Sequence, residues 1–170
     1  MKKTKSLAIE IEAFFTLTKA ILLIGIVTFA PLLGQQAITG PIVNATLFIS
    51  TILIDIKYAI FVGLIPSGIA LSVGLLPLTL APMIPFIMVA NAILIVAFEG
   101  LRRKNYWLAV FSASTIKFLF LKITSFKVID LVLKKEVASK AALMMSWPQF
   151  VTAIAGGILA YLFLKGAKKI

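Results

Sequence analysis

The stretch that decides the fold is GQQAITGPIVNATLFISTILIDIKYAIFVGLIPSGIALSVG, residues 34–74. It opens on a polar, turn-prone segment, Gly34-Gln35-Gln36-Ala37-Ile38-Thr39-Gly40-Pro41. An apolar run of helical length follows, carrying small and neutral polar residues. A short charged break, Asp55-Ile56-Lys57, separates it from a second apolar run rich in Gly and Ser. Two such runs back to back are more than a soluble core needs. They suit membrane helices that pack closely around a small polar pocket.

The sequence outside this hairpin reads the same way. The chain has 170 residues, enough for a single domain, of which 61% are hydrophobic, with a mean hydropathy of +1.10. Soluble domains hold about 45–50% apolar residues. No charged residue occurs from Ala20 to Ile54 or from Tyr58 to Phe98. Each of these stretches exceeds the ~20 residues that cross a bilayer. The alternating segments of a membrane β-barrel are absent. The expected fold is an all-α polytopic membrane protein, one domain of six transmembrane helices. The expected spans are about 13–33, 41–54, 58–75, 83–101, 106–123 and 148–164. The second helix is expected to start near Pro41, with 34–41 as a loop over its outer end. Residues 124–147 are expected to lie outside the membrane with an amphipathic helical piece. Glu10, Glu12 and Lys19 interrupt the first apolar region and no A-x-A pattern follows, so the first helix is read as uncleaved.

The net charge of +11 is segregated. With both termini cytoplasmic, eleven Lys/Arg fall inside (2, 3, 5, 19, 57, 102, 103, 104, 165, 168 and 169) and five outside (122, 127, 134, 135 and 140). This is the bias of the positive-inside rule, in a cell-membrane protein in contact with anionic lipid, rather than a nucleic-acid site. The chain contains no Cys and no His. That removes disulfides, the usual zinc sites, Cys-ligated clusters and His-ligated haem. It also removes a Cys nucleophile and a His base, so the expectation is a non-enzyme without a cofactor.

Size, helix count and the hairpin PIVNATLFISTILIDIKYAIFVGLIPSGIALSVG together resemble the S component, the substrate-binding membrane subunit of energy-coupling factor (ECF) vitamin transporters. GPIVNATLF and MMSWPQ resemble segments of bacterial membrane proteins of that superfamily. The resemblance implies a six-helix bundle that captures a vitamin or related small molecule in its outer half. It also implies a membrane coupling subunit and two ATPase subunits as partners. The nearest match to the family's A-x-x-x-A contact on the first helix is Thr16-x-x-x-Ala20, which contains Lys19. There is no G-x-x-x-x-G-K-[ST] phosphate loop, so energy has to come from partners. The alternatives are a solitary small-molecule carrier and a non-catalytic scaffold subunit of a larger membrane complex.

A polar side chain buried in a bilayer is expensive, so each one is a candidate. Asn91, in the middle of the fourth span, is a ligand contact or a bridge between helices. Asn44 is a ligand contact or a helix-start cap. Lys117 is the only basic residue well inside a span, with Ser114 one turn away. It holds an anionic group of the substrate, such as a carboxylate or phosphate, with Ser114 and Lys122 assisting. Otherwise it pairs with Asp130 or Glu136, or snorkels to the surface. Gln149, Thr152 and Gly156 share one stripe of the last helix, with Trp147 above them as a stacking surface or an interfacial anchor. Gln35, Gln36 and Thr39, beside Gly40, form a lid or a solvated turn. Glu99 with Arg102 and Arg103 is expected to be an ion-pair cluster at the cytoplasmic end.

Overall fold

The computed structural model describes residues 2–132 and 142–170, and side-chain surroundings over 11–127 and 142–170. The KKEVASK segment, with Glu136, lies outside the described residues. Among the described residues six long helices occur in order: α1 (Lys2–Phe29), α2 (Gln36–Leu53), α3 (Ile56–Ser72), α4 (Ile84–Arg102), α5 (Tyr106–Val132) and α6 (Trp147–Gly166). Five helical segments, Ile11–Leu33, Gln36–Leu53, Leu78–Arg102, Tyr106–Lys127 and Ala142–Gly166, are long and apolar enough to cross a membrane. The third helix is apolar but has 17 residues. At 1.5 Å per residue it reaches about 26 Å, short of the ~30 Å hydrocarbon core. The chain is thus an all-helical bundle with the character of a multi-pass membrane protein.

Four stretches differ from the sequence expectation. The first helix gives way at Phe29 to a 3₁₀ turn, Ala30–Leu33, containing Pro31. Gly34 closes that turn at φ 70°, in the left-handed region that glycine tolerates, and donates its N–H to Pro31 O at 3.1 Å. The chain then re-enters a helix at once, so α2 begins at Gln36 and residues 36–41 are helical, not a loop. Pro41 is the sixth residue of α2. The carbonyl it leaves without a partner, that of Ala37, belongs to an exposed residue at the helix end. The fifth helix continues past Ile123 to Val132, because no Gly, Pro or Asn interrupts ITSFKVIDLV. Residues Leu78–Met83, expected as loop, wind as a 3₁₀ segment leading into α4.

Large side chains fill the half of the bundle that holds Glu99 and Arg102. Phe48 packs on Phe98 with ring centres 4.7 Å apart, and Phe98 meets Tyr106 at 5.5 Å. The Tyr106 hydroxyl donates to Gly157 O at 2.8 Å, satisfying its polar end. At that end Glu99 takes two hydrogen bonds from Arg102, one of them 3.0 Å long, and lies 3.8 Å from Arg103. This is the expected cluster. Asp55 caps α3 by accepting from Lys57 N at 2.8 Å.

The half away from Glu99 and Arg102 is built from smaller residues. The second and sixth helices touch where Gly156 lies against Asn44; a Cβ on Gly156 would sit 2.6 Å from Asn44 Cβ and 2.8 Å from Ala45 N. A Cβ on Gly40 would likewise sit 2.8 Å from Thr152 Cβ. Gly63 lets α4 approach α3 at Asn91. Close backbones with few bulky side chains between them leave a space above this level, roofed by a second apolar cluster that includes Leu76, Leu80, Met83 and Met145.

Candidate functional site

A cavity of about 100 Å³ occupies the half of the bundle away from Glu99 and Arg102, where α2, α3, α4, α5 and α6 converge. Its floor is a three-residue polar unit. The Lys117 ammonium, on α5, donates to Asn44 Oδ1 on α2 at 2.7 Å and to Asn91 Oδ1 on α4 at 2.8 Å. All three side chains belong to buried residues, with Lys117 at 3% exposure.

The two amides are oriented by backbone carbonyls. Asn44 Nδ2 donates to Gly40 O at 2.9 Å, one turn back on its own helix. Asn91 Nδ2 donates to Gly63 O of α3 at 2.8 Å. With each NH₂ group committed, each oxygen turns toward Lys117. Pro66 has no N–H to give to Val62 O, so α3 lacks a rung beside the carbonyl that Asn91 uses. Asn91 therefore links α3, α4 and α5, and Asn44 is in the third turn of α2, too deep for a helix-start cap.

Lys117 has two protein partners that the sequence did not suggest. Two neutral amide oxygens hold it. Snorkelling is ruled out by its burial and by its position, about 16 Å along α5 from Tyr106 and so close to mid-depth. Asp130 is thirteen residues further along α5, roughly 20 Å away along the axis, too far to pair. Among the described residues the ion pairs join Glu99 to Arg102 and Arg103, and no carboxylate pairs with Lys117.

Of the other expected residues, Gln36, Thr39, Gln149 and Thr152 border the cavity. Thr39 Oγ1 donates to Ala30 O at 3.0 Å, tying α2 to the end of α1. Gln149 Nε2 donates to Met144 O at 3.2 Å, and Thr152 Oγ1 to Gln149 O at 3.2 Å. Three residues are elsewhere. Gln35 is exposed at the N-cap of α2 and does not border the cavity. Trp147 is 60% exposed on the bundle's outside, which fits an interfacial anchor and not a stacking surface. Ser114 is fully buried, but its hydroxyl has no hydrogen-bond partner among the described residues and it does not border the cavity. Three positions along α5 turn it some 300° from Lys117, onto a neighbouring face.

Residues not expected from the sequence complete the walls: Val43, Pro66, Ser67, Ala70, Leu75, Leu76, Ile87, Met144 and Met145. Only Ser67 carried a usable signal, standing one turn beyond Gly63 in the small-residue stripe of α3. The apolar roof residues look like any other lipid-soluble side chain in the sequence. Comparison with family models, with curated proteins and with solved structures finds no match for this chain.

Proposed function

We propose that this chain is the membrane-embedded binding subunit of a small-molecule uptake system, of the S-component type, in the cell membrane with both termini cytoplasmic. The carrying observation is the outer cavity with a charged floor inside an apolar bundle. An ammonium kept at that depth has a cost that helix packing alone does not require. An apolar pocket with a few convergent polar groups is the usual form of a ligand site. The cavity mouth is formed by the chain before α2, before the 3₁₀ segment and before α6, all at the end opposite Glu99 and Arg102. The positive-inside bias puts that end outward. Capture from outside follows, and delivery inward then depends on a coupling subunit and two ATPase subunits.

The test is mass spectrometry of molecules extracted from protein purified under mild conditions. A single small organic molecule near one per chain, released on unfolding, is expected. An empty chain that also binds nothing from a cell extract of small molecules would overturn the reading in favour of a scaffold. Co-purification with an ATPase-containing module separates an S component from a solitary carrier.

A further inference from the structure

We propose that the ligand is a small monocarboxylate whose carboxylate sits on Lys117; this rests on the cavity being a ligand site. Charge balance is the first argument. Lys117 is the one charged residue among the described cavity-lining residues. Its two protein partners are dipoles, not charges. Had either been Asp, the ammonium would be neutralised from within. Because both are Asn, locked by Gly40 O and Gly63 O, the ammonium form is held in place and solvated, and no carboxylate among the described residues cancels its charge. A monoanion cancels that charge; a dianion leaves one negative charge uncompensated in a low-dielectric space, where it is costly.

The donor inventory is the second argument. A lysine ammonium has three N–H groups, and two are committed here. The Thr39 and Thr152 hydroxyls donate to backbone carbonyls. Gln149 has committed one of its two amide hydrogens. What is left for a ligand is one N–H on Lys117, one amide N–H on each of Asn44, Asn91 and Gln149, and the Gln36 amide. This set suits the two oxygens of a carboxylate. A phosphate carrying two charges would go short of positive charge, since Lys117 is the one cation among the described lining residues.

Size and surface set the remainder of the molecule. About 100 Å³ is well below the ~300–1,000 Å³ of drug-sized pockets, so the body is a short chain or one small ring. Pro66, Ala70, Leu76, Ile87 and Met145 give that body apolar walls.

The experiment compares matched acids and amides on purified protein freed of retained small molecules: acetate with acetamide, butyrate with butyramide, benzoate with benzamide. Phenylphosphonate serves as the dianion. Binding is read by calorimetry and by thermal stabilisation. At least one carboxylate should bind about ten- to a hundredfold tighter than its amide, the gain of one charge-assisted hydrogen bond. It should also bind more tightly than phenylphosphonate, and Lys117→Met should erase the preference. Amides that bind as well as acids would overturn the carboxylate proposal and leave the pocket standing. Tighter binding of phenylphosphonate would overturn it in favour of a dianion. If none of the series binds while the molecule extracted from cells rebinds, the carboxylate proposal falls and the uptake reading survives. If nothing binds at all, both fall. The acid–amide comparison on the unaltered protein decides even if Lys117→Met does not fold.

Discussion

An ammonium group inside an apolar bundle has to be solvated by something, and here two side-chain amides do it. At the scale of single residues, Asn91 is the most connected of the three, accepting from Lys117 and donating to Gly63 O on a different helix. Asn91 bridges helices and also borders the cavity, so the two readings that the sequence left as alternatives are compatible at this position. Replacing Asn91 with Leu removes both bonds and leaves the ammonium with one partner. A charge-linked bond and a neutral one together are worth about 2–4 kcal/mol. Asn91→Leu should therefore lower the unfolding free energy of the empty protein by about that amount while also weakening ligand binding. Thermal unfolding in detergent, without and with ligand, checks it. A variant as stable as the parent would mean that the Asn91 bridge contributes nothing to holding α3, α4 and α5 together. Lys117→Met differs in kind. It orphans two amide oxygens, but these face the cavity, and it removes a buried charge. The empty protein should lose little stability.

At the scale of helices, the cavity exists because α2 and α6 touch without side chains between them. Gly156 supplies the contact, with Asn44 Cβ, Ala45 N and Pro41 O all under 3.0 Å from where a Cβ would be. Two of those atoms are backbone and do not rotate away. Gly156→Ala should force the helices apart, tilt Asn44 off Lys117, and cost about 1–3 kcal/mol, the usual penalty for overpacking. Gly100 is the control: it is exposed near the end of α4, and a Cβ there meets nothing within 4 Å. Gly100→Ala should stabilise by about 0.5–1 kcal/mol through helix propensity alone. Equal behaviour of the two variants would show that the α2–α6 contact is not tight.

At the scale of the whole molecule, the open question is orientation in the bilayer. The basic ends of α1, α4 and α6 are expected inside, and the mouth of the cavity outside. Ile38, 47% exposed in the first turn of α2, is a suitable reporter in a chain that has no cysteine of its own. Ile38→Cys should react with a membrane-impermeant thiol reagent added to intact cells. Reaction only after the cytoplasmic face is opened would reverse the topology and turn the proposed site inward. The same labelling along α3 would tell whether a 17-residue helix crosses fully or is carried by the 3₁₀ segment that follows it.

By itself the sequence determined the class, an apolar all-helical bundle, and the polar candidates. Hydropathy and charge segregation are one-dimensional signals, so apolar runs between charged breaks mark where the long helices of the described residues lie, with α3, α4 and α6 ending within a few residues of the expected positions. Burial cost singles out Asn44, Asn91 and Lys117 without any knowledge of their neighbours. Helix ends were less legible around Pro41 and beyond Ile123. A proline near a helix end is tolerated when the freed carbonyl is exposed, and a helix without a breaker runs on past the hydrophobic stretch. The tertiary structure alone decided that the three polar residues meet. Lys117 is 73 residues from Asn44 and 26 from Asn91 in the chain, and only close packing at Gly156 and Gly63 brings their helices within hydrogen-bond reach. It also decided which neighbours to discard. Ser114 turns onto another face of α5 and Trp147 to the outside, because the azimuth of a side chain is set by how the helix packs and not by its position in the sequence.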